Sequence, residues 1–178
     1  MDKFEIIASI SNNHQAFITK IKDLPNDDFV KAVNGKWSAG QQLEHILKSI
    51  KPVARAFEIP KSVLEDKFGL SERPSRDYET IVTDYLETLK QNPDYKLEQR
   101  FFPEVIALEE KKQKLEALNT VVGKLTRSIE NSSEKGLDTY VLPHPVMGNF
   151  TLREMLYFVA YHVTHHDKQI LQNLNYAD

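Results

Sequence analysis

The sequence predicts an all-α fold, an antiparallel four-helix bundle with one extra short helix, in a single domain spanning residues 1–178. Three observations predict it. Apolar residues recur at three- and four-residue spacings through four long stretches, the signature of helices that bury one face. Strand-like alternation is confined to short stretches such as Thr139-Tyr140-Val141-Leu142. The chain has 178 residues, the length of one domain, enough to bury about 70% of the surface its unfolded form exposes. No internal repeat and no low-complexity tract interrupts it.

The elements follow in order. Phe4, Ile7, Ile10, Phe17, Ile18 and Ile21 share one face of a helix over roughly residues 2–22, which Asp23-Leu24-Pro25-Asn26-Asp27 ends. A second helix starts near Ser38, which has capping-box spacing to Gln41. Leu43, Ile46, Leu47 and Ile50 form its stripe, and Pro52 is expected to kink or end it. Residues 58–76, with Pro60, Gly69 and Pro74, read as a loop. Tyr78, Ile81, Tyr85, Leu86 and Leu89 make the short extra helix, and a polar connection runs to about Pro103. A long helix is expected over 105–131 on Ile106, Leu108, Leu115, Leu118, Val121, Val122, Leu125 and Ile129. Pro143-His144-Pro145-Val146-Met147-Gly148-Asn149 reads as a rigid loop. The last helix starts at Thr151, paired with Glu154 in another capping box, and carries Leu152, Met155, Leu156, Val159, His162, Val163, His166 and Ile170 on its inner face.

Composition narrows the chemistry. Apolar residues are 40% and charged residues 28% of the chain, an ordinary globular balance. With 23 Lys plus Arg against 26 Asp plus Glu, the net charge is −3. No basic stripe marks a nucleic-acid binder, so no nucleic-acid partner is expected. The chain has no cysteine, so disulfides, thiolate nucleophiles and Cys-ligated metals are excluded. No window approaches the apolar run a membrane helix needs, and the polar opening Met1-Asp2-Lys3-Phe4-Glu5 has no leader pattern. A cytoplasmic protein without a membrane partner is the expectation.

The histidines carry the remaining signal. There are six, His14, His45, His144, His162, His165 and His166, and three of them fall within five residues of the last helix. Helix positions four apart are neighbours, so His162 and His166 can chelate one metal ion from one face. Both share that face with Met155, Val159 and Ile170, whereas His165 keeps company with Glu154, Tyr161 and Lys168 on a wetter one. The spacing alone leaves open a pair of buried, hydrogen-bonded histidines without metal. It also lacks the Glu of His-Glu-x-x-His zinc proteases, Val163 standing in that place. A third ligand is needed. His45, mid-helix between Gln41 and Ser49, is a candidate, although spacing alone reads it first as a boundary residue.

Three stretches resemble one family. Gly35-Lys36-Trp37-Ser38-Ala39-Gly40-Gln41-Gln42-Leu43-Glu44-His45 is similar to the start of the second helix of DinB-like proteins, where a Trp-Ser pair precedes a metal-binding histidine. His144-Pro145-Val146-Met147-Gly148-Asn149-Phe150-Thr151-Leu152-Arg153-Glu154 resembles the family's loop into its final helix. His162-Val163-Thr164-His165-His166-Asp167-Lys168-Gln169-Ile170 resembles its closing motif. The resemblance implies a four-helix bundle in which His45, His162 and His166 hold a divalent ion. Imidazole suits zinc, nickel, iron and copper alike, so the ion is not named by the ligands. The resemblance further implies a small-molecule substrate, a homodimer in many members, and in some relatives a metal-dependent transfer of low-molecular-weight thiols to electrophiles. The family name refers to DNA-damage induction, a stress response and not a chemistry. The expected function is therefore a metal-dependent transferase or hydrolase, the alternative being a non-enzymatic metal-binding or stress-related module. No catalytic base can be named.

Other residues receive local readings. Trp37 is expected as a hydrophobic anchor ahead of its helix, His144 as an exposed or locally bonded loop residue, and His14 as a satisfied core histidine, with pocket lining the second reading for both Trp37 and His14. Glu44 and Asp167 are expected to face away from the ligands. Gln169 is placed to orient a ligand or donate to a substrate. Glu109-Glu110-Lys111-Lys112 is expected as a solvated face.

Overall fold

A computed structural model describes residues 1–175. Four long helices make the bundle: α1 (Lys3–Asp23), α3 (Ala39–Glu58), α6 (Lys111–Glu130) and α8 (Leu152–Asn175). Shorter elements join them: α2 (Asn26–Val30), α4 (Lys61–Phe68), α5 (Tyr78–Gln91), α7 (Glu134–Thr139), and a hairpin of β1 (Val141–His144) and β2 (Gly148–Thr151). A 3-10 turn over Leu108–Glu110 leads into α6. The all-α bundle read from the sequence is the observed fold.

Side-chain ties set the helix directions. Lys3 at the start of α1 reaches the Glu130 carbonyl at the end of α6, and Lys111 at the start of α6 reaches the Leu24 carbonyl beyond α1. These two helices therefore run antiparallel. Asn13 and Lys20 meet Ala160 and Asp167, so α1 and α8 run parallel. His166 meets Gln42 and Asn173 meets Trp37, so α3 and α8 run antiparallel. Both α3 and α6 thus point the same way, because the long connection between them, with α4 and α5 in it, carries the chain back to the same end.

Local chemistry explains the starts. Asp2 with Glu5, Ser38 with Gln41, and Thr151 with Glu154 each satisfy amides that a helix N-terminus leaves open. The interior is a continuous cluster including Ile6, Ile10, Phe17, Leu43, Leu118, Leu125, Leu156 and Val163. Burying such side chains is the main favourable term for the fold, worth about 1.5–3 kcal/mol for each large one.

Several local expectations are corrected. Phe4 is 60% exposed, the buried stripe of α1 being Ile6, Ile10, His14, Phe17 and Ile21. Pro52 does not end its helix. It sits on the exposed side of α3, while Val53, Ala54, Ala56 and Phe57 continue into the core. Core burial thus holds the turn that a missing N–H weakens. The stretch 58–76 contains a helix, α4, anchored by the fully buried Leu64. Helix α6 starts at Lys111 and not near 105, and Val105 is 78% exposed. The segment 143–149 is the turn end of a hairpin, with His144 opposite Gly148. Gly148 has φ +71, a conformation that a Cβ disfavours.

Glu154 locks the crossover to α8. Its buried carboxylate takes hydrogen bonds from Arg73, from the side chain and amide of Arg76, and from the Thr151 amide. Burial opposes its charge, yet these donors win and pull its pKa from the ordinary 4.5 down to about 2. A depressed carboxylate contributes stability that is present above the ordinary pKa and lost as pH falls through the folded one. Glu154→Gln should therefore cost about 3 kcal/mol at neutral pH, the scale for breaking a buried ion pair. Thermal melts at stepped pH should show the gap to wild type closing as pH falls from 4.5 towards 2. A gap independent of pH would contradict the assignment.

Candidate metal centre

The antiparallel seam of α3 and α8 carries three histidines into one place. His45 comes from α3, and His162 and His166 from successive turns of α8. All three are buried, with relative exposures of 5%, 5% and 4%. One ring nitrogen from each lies within 4.8 Å of the others. The Nε2 atoms of His45 and His162 are 3.3 Å apart, and those of His162 and His166 are 2.9 Å apart.

The opposite ring nitrogens define the tautomers. His45 Nδ1–H donates to the Phe101 carbonyl at 2.8 Å. His166 Nδ1–H donates to the Gln42 side-chain carbonyl. In the neutral rings each proton therefore sits on Nδ1, and each Nε2 presents a lone pair towards His162. A single proton on His162 Nε2 can serve only one of the two. Three buried imidazole nitrogens turned on one another are a donor set suited to a divalent cation. A backbone carbonyl and a side-chain amide on the far ring nitrogen are the kind of partner that fixes the orientation of histidines in metal sites.

A polar chain extends from this point. Gln42 donates to Gln169 at 3.3 Å, and Gln169 donates to His165 Nε2 at 2.8 Å. His165 is thus bonded to Gln169 and stands outside the three-histidine group, as its wetter face predicts. Glu44 and Asp167 turn away, towards Lys114 and Lys20. His14 is a core histidine donating to the Ile10 carbonyl at 2.8 Å.

Two residues stand closer to the site than their first sequence readings place them, although the local hydrogen bond expected of His144 is present. Trp37 faces the site, its ring 5.0 Å from that of His45 and stacked at 6.2 Å over His166. Asn173 holds the Trp37 carbonyl at 3.2 Å. His144 is buried, 7% exposed, between Phe150 and Phe158, with the Val146 amide on its Nδ1. Gln42 and Phe101 were not singled out in the sequence. Gln42 lies three residues before His45, on the neighbouring turn of the same helix face, which is the signal that points to it. Phe101 acts through its backbone, which no side-chain pattern marks.

The histidines open onto a cleft of about 1320 Å³, floored by the three rings and walled by Trp37, Tyr85 and Phe102. A small cavity of about 10 Å³ lies on their inner side, against His14, Ser49 and His162.

Comparison with known families gives one decisive match. The model for the DinB superfamily matches residues 10–170. The chain belongs to the DinB superfamily. The match takes in α3, the hairpin and the histidine turns of α8, so this DinB protein carries its three-histidine group within the family's own domain. No curated protein matches the chain. Among the described residues, no helix is long and apolar enough to cross a membrane.

All six histidines of this DinB protein have their pKa lowered from the ordinary 6.5, with burial the leading cause in each. His14 and His144 fall to about 4. Between these values and 6.5 the unfolded chain binds protons that the folded chain refuses, so stability rises with pH. The thermal midpoint of the metal-free protein should fall steadily from about pH 7.5 to about pH 5, with net proton uptake on unfolding. A midpoint flat over that range would show that the rings are not buried as described.

Proposed function

We propose that this DinB protein is a metal-dependent enzyme in which His45, His162 and His166 hold one divalent ion and a small molecule binds in the cleft above it. The observation that carries the reading is the convergence of three buried imidazole nitrogens at the floor of a large cleft. Three protein ligands leave a coordination position for water or substrate, the arrangement of catalytic and not of closed structural sites. A bound divalent ion would supply Lewis acidity there, lowering the pKa of a water or of a substrate thiol.

The chain's own residues do the rest. The Phe101 carbonyl and Gln42 keep His45 and His166 in the tautomers that point Nε2 inwards. Trp37 and Phe102, with rings 5.8 Å apart edge to face, close one wall and limit water. Gln169, which lines the cleft and joins Gln42 to His165, is placed to orient a polar group of the substrate.

Likeness to the thiol transferases of the family makes joining a small thiol to an electrophile the leading reaction, with hydrolysis the second. The open cleft favours an enzyme over a metal-storing or stress-related module, for which a filled core would serve. A cytoplasmic setting, resting on the sequence reading, and assembly as a homodimer, resting on the likeness to DinB proteins, complete the proposal. Zinc, nickel and iron all suit the donor set.

Elemental analysis of the native protein should find about one divalent ion per chain, lost in His45→Ala, His162→Ala and His166→Ala. Gln42→Leu should keep the fold and weaken metal affinity by about 10- to 100-fold, the usual cost of losing an orienting partner. Full metal retention in the alanine variants would overturn the ligand assignment. A panel of small thiols with an electrophile such as 1-chloro-2,4-dinitrobenzene should react faster with the metal-loaded protein than with the stripped protein. Equal rates would remove the transferase reading.

A further inference from the structure

The cleft wall has a charge bias that the three-histidine site does not explain. Five basic residues line it, Lys36, Arg55, Lys67, Lys96 and Arg100, and among the described residues no aspartate or glutamate does. The chain as a whole has the opposite balance, 26 acidic residues against 23 basic ones. Four segments converge to produce it: the loop before α3, the last turns of α3 and α4, and the loop after α5.

Two of the cations adjoin residues of the site in sequence, and a third shares a helix with His45. Lys36 precedes Trp37, whose ring lies on His45. Arg100 precedes Phe101, whose carbonyl takes the His45 proton, and it lies over the Phe101 ring with Glu98 at 2.9 Å. Arg55 stands ten residues beyond His45 on α3, about 15 Å along the helix axis. A concave surface lined by one sign of charge focuses its field and concentrates ligands of the opposite sign. Guanidinium groups in particular match the paired oxygens of carboxylate and phosphate.

We propose that the cleft takes an anionic small molecule, bearing carboxylate or phosphate, with its anionic group on these cations and its reactive group turned to the histidines. The second half rests on the functional reading above, while the first half stands on the wall alone. Lys96 and Arg100 are positioning residues: they select and align the ligand without touching the reacting atoms.

Two measurements separate the halves. Calorimetry on the metal-free full chain, with tricarballylate and with the neutral triol glycerol as probes, tests the anion preference. Tricarballylate should bind at least about tenfold more tightly than glycerol. The preference should fall to about twofold or less in the doubly substituted Lys96→Gln, Arg100→Gln protein, and Lys96→Arg should retain it. Both residues are exposed, so the substitutions leave the core intact. Equal binding of the two probes, or a preference unchanged by the double substitution, overturns the proposal. The second measurement uses cobalt(II)-loaded protein and follows the sulfur-to-cobalt absorption band on adding 3-mercaptopropionate, 2-mercaptoethanol or cysteamine. The expected order of affinity is anionic, then neutral, then cationic. A tricarballylate preference with no thiol band would keep the anion site and sink the thiol reading. A thiol band of equal strength for all three would do the reverse.

Discussion

Three unprotonated or singly protonated imidazole nitrogens are crowded together away from water, and the rest of the site is arranged around that fact. His45 and His166 have their Nδ1 protons committed to a backbone carbonyl and to Gln42. Their remaining lone pairs converge on His162 Nε2, at 3.3 and 2.9 Å from it. Burial makes a positive charge on these rings unfavourable, so their own protonation is a poor remedy. On the reading proposed here, a divalent ion resolves the crowding, and the energy of ordering three rings returns as metal affinity.

The bundle supplies the stiffness that this needs. On one side α1 packs on α6 and α8, its buried face being Ile6, Ile10, Phe17 and Ile21 with His14. The seam between α3 and α8 gives up apolar contact for histidines and glutamines. Its ends are fixed by unrelated devices: the capping boxes at Ser38 and Thr151, and the arginine pair on Glu154 that ties the crossover to the start of α8. The crossover after α5 is also part of the site, since it brings both the Phe101 carbonyl and the Phe102 ring of the cleft wall. A site built on two helices and roofed by a loop combines precise ligand placement with freedom to vary what enters.

The sequence carried much of this, unevenly. Helical periodicity located all four bundle helices, and the hydroxyl–glutamine and hydroxyl–glutamate spacings marked two of their starts. The i, i+4 histidine pair on the buried stripe of α8 identified the side of the helix that matters, and likeness to the DinB family brought His45 to it. Local signals failed where burial overrode them. Pro52 reads as a kink or an end, yet the core residues after it continue the helix. Leu64 is the only fully buried residue of α4, too little for a periodic signal among prolines and charges. Trp37 and His144 read as an anchor and a loop residue because a one-dimensional pattern does not say which surface a loop folds over. The Phe101 carbonyl lies 56 residues from the ring it orients, and backbone groups leave no residue-type trace.

X-ray absorption at the metal edge of the loaded protein tests the central claim most directly. Three imidazoles on one ion predict a first shell containing three nitrogen scatterers at about 2.0–2.1 Å, with the outer-shell pattern of histidine rings. That pattern should drop to two rings when His45 is replaced. A first shell made of oxygen alone, or a ring count unaffected by that replacement, would contradict it.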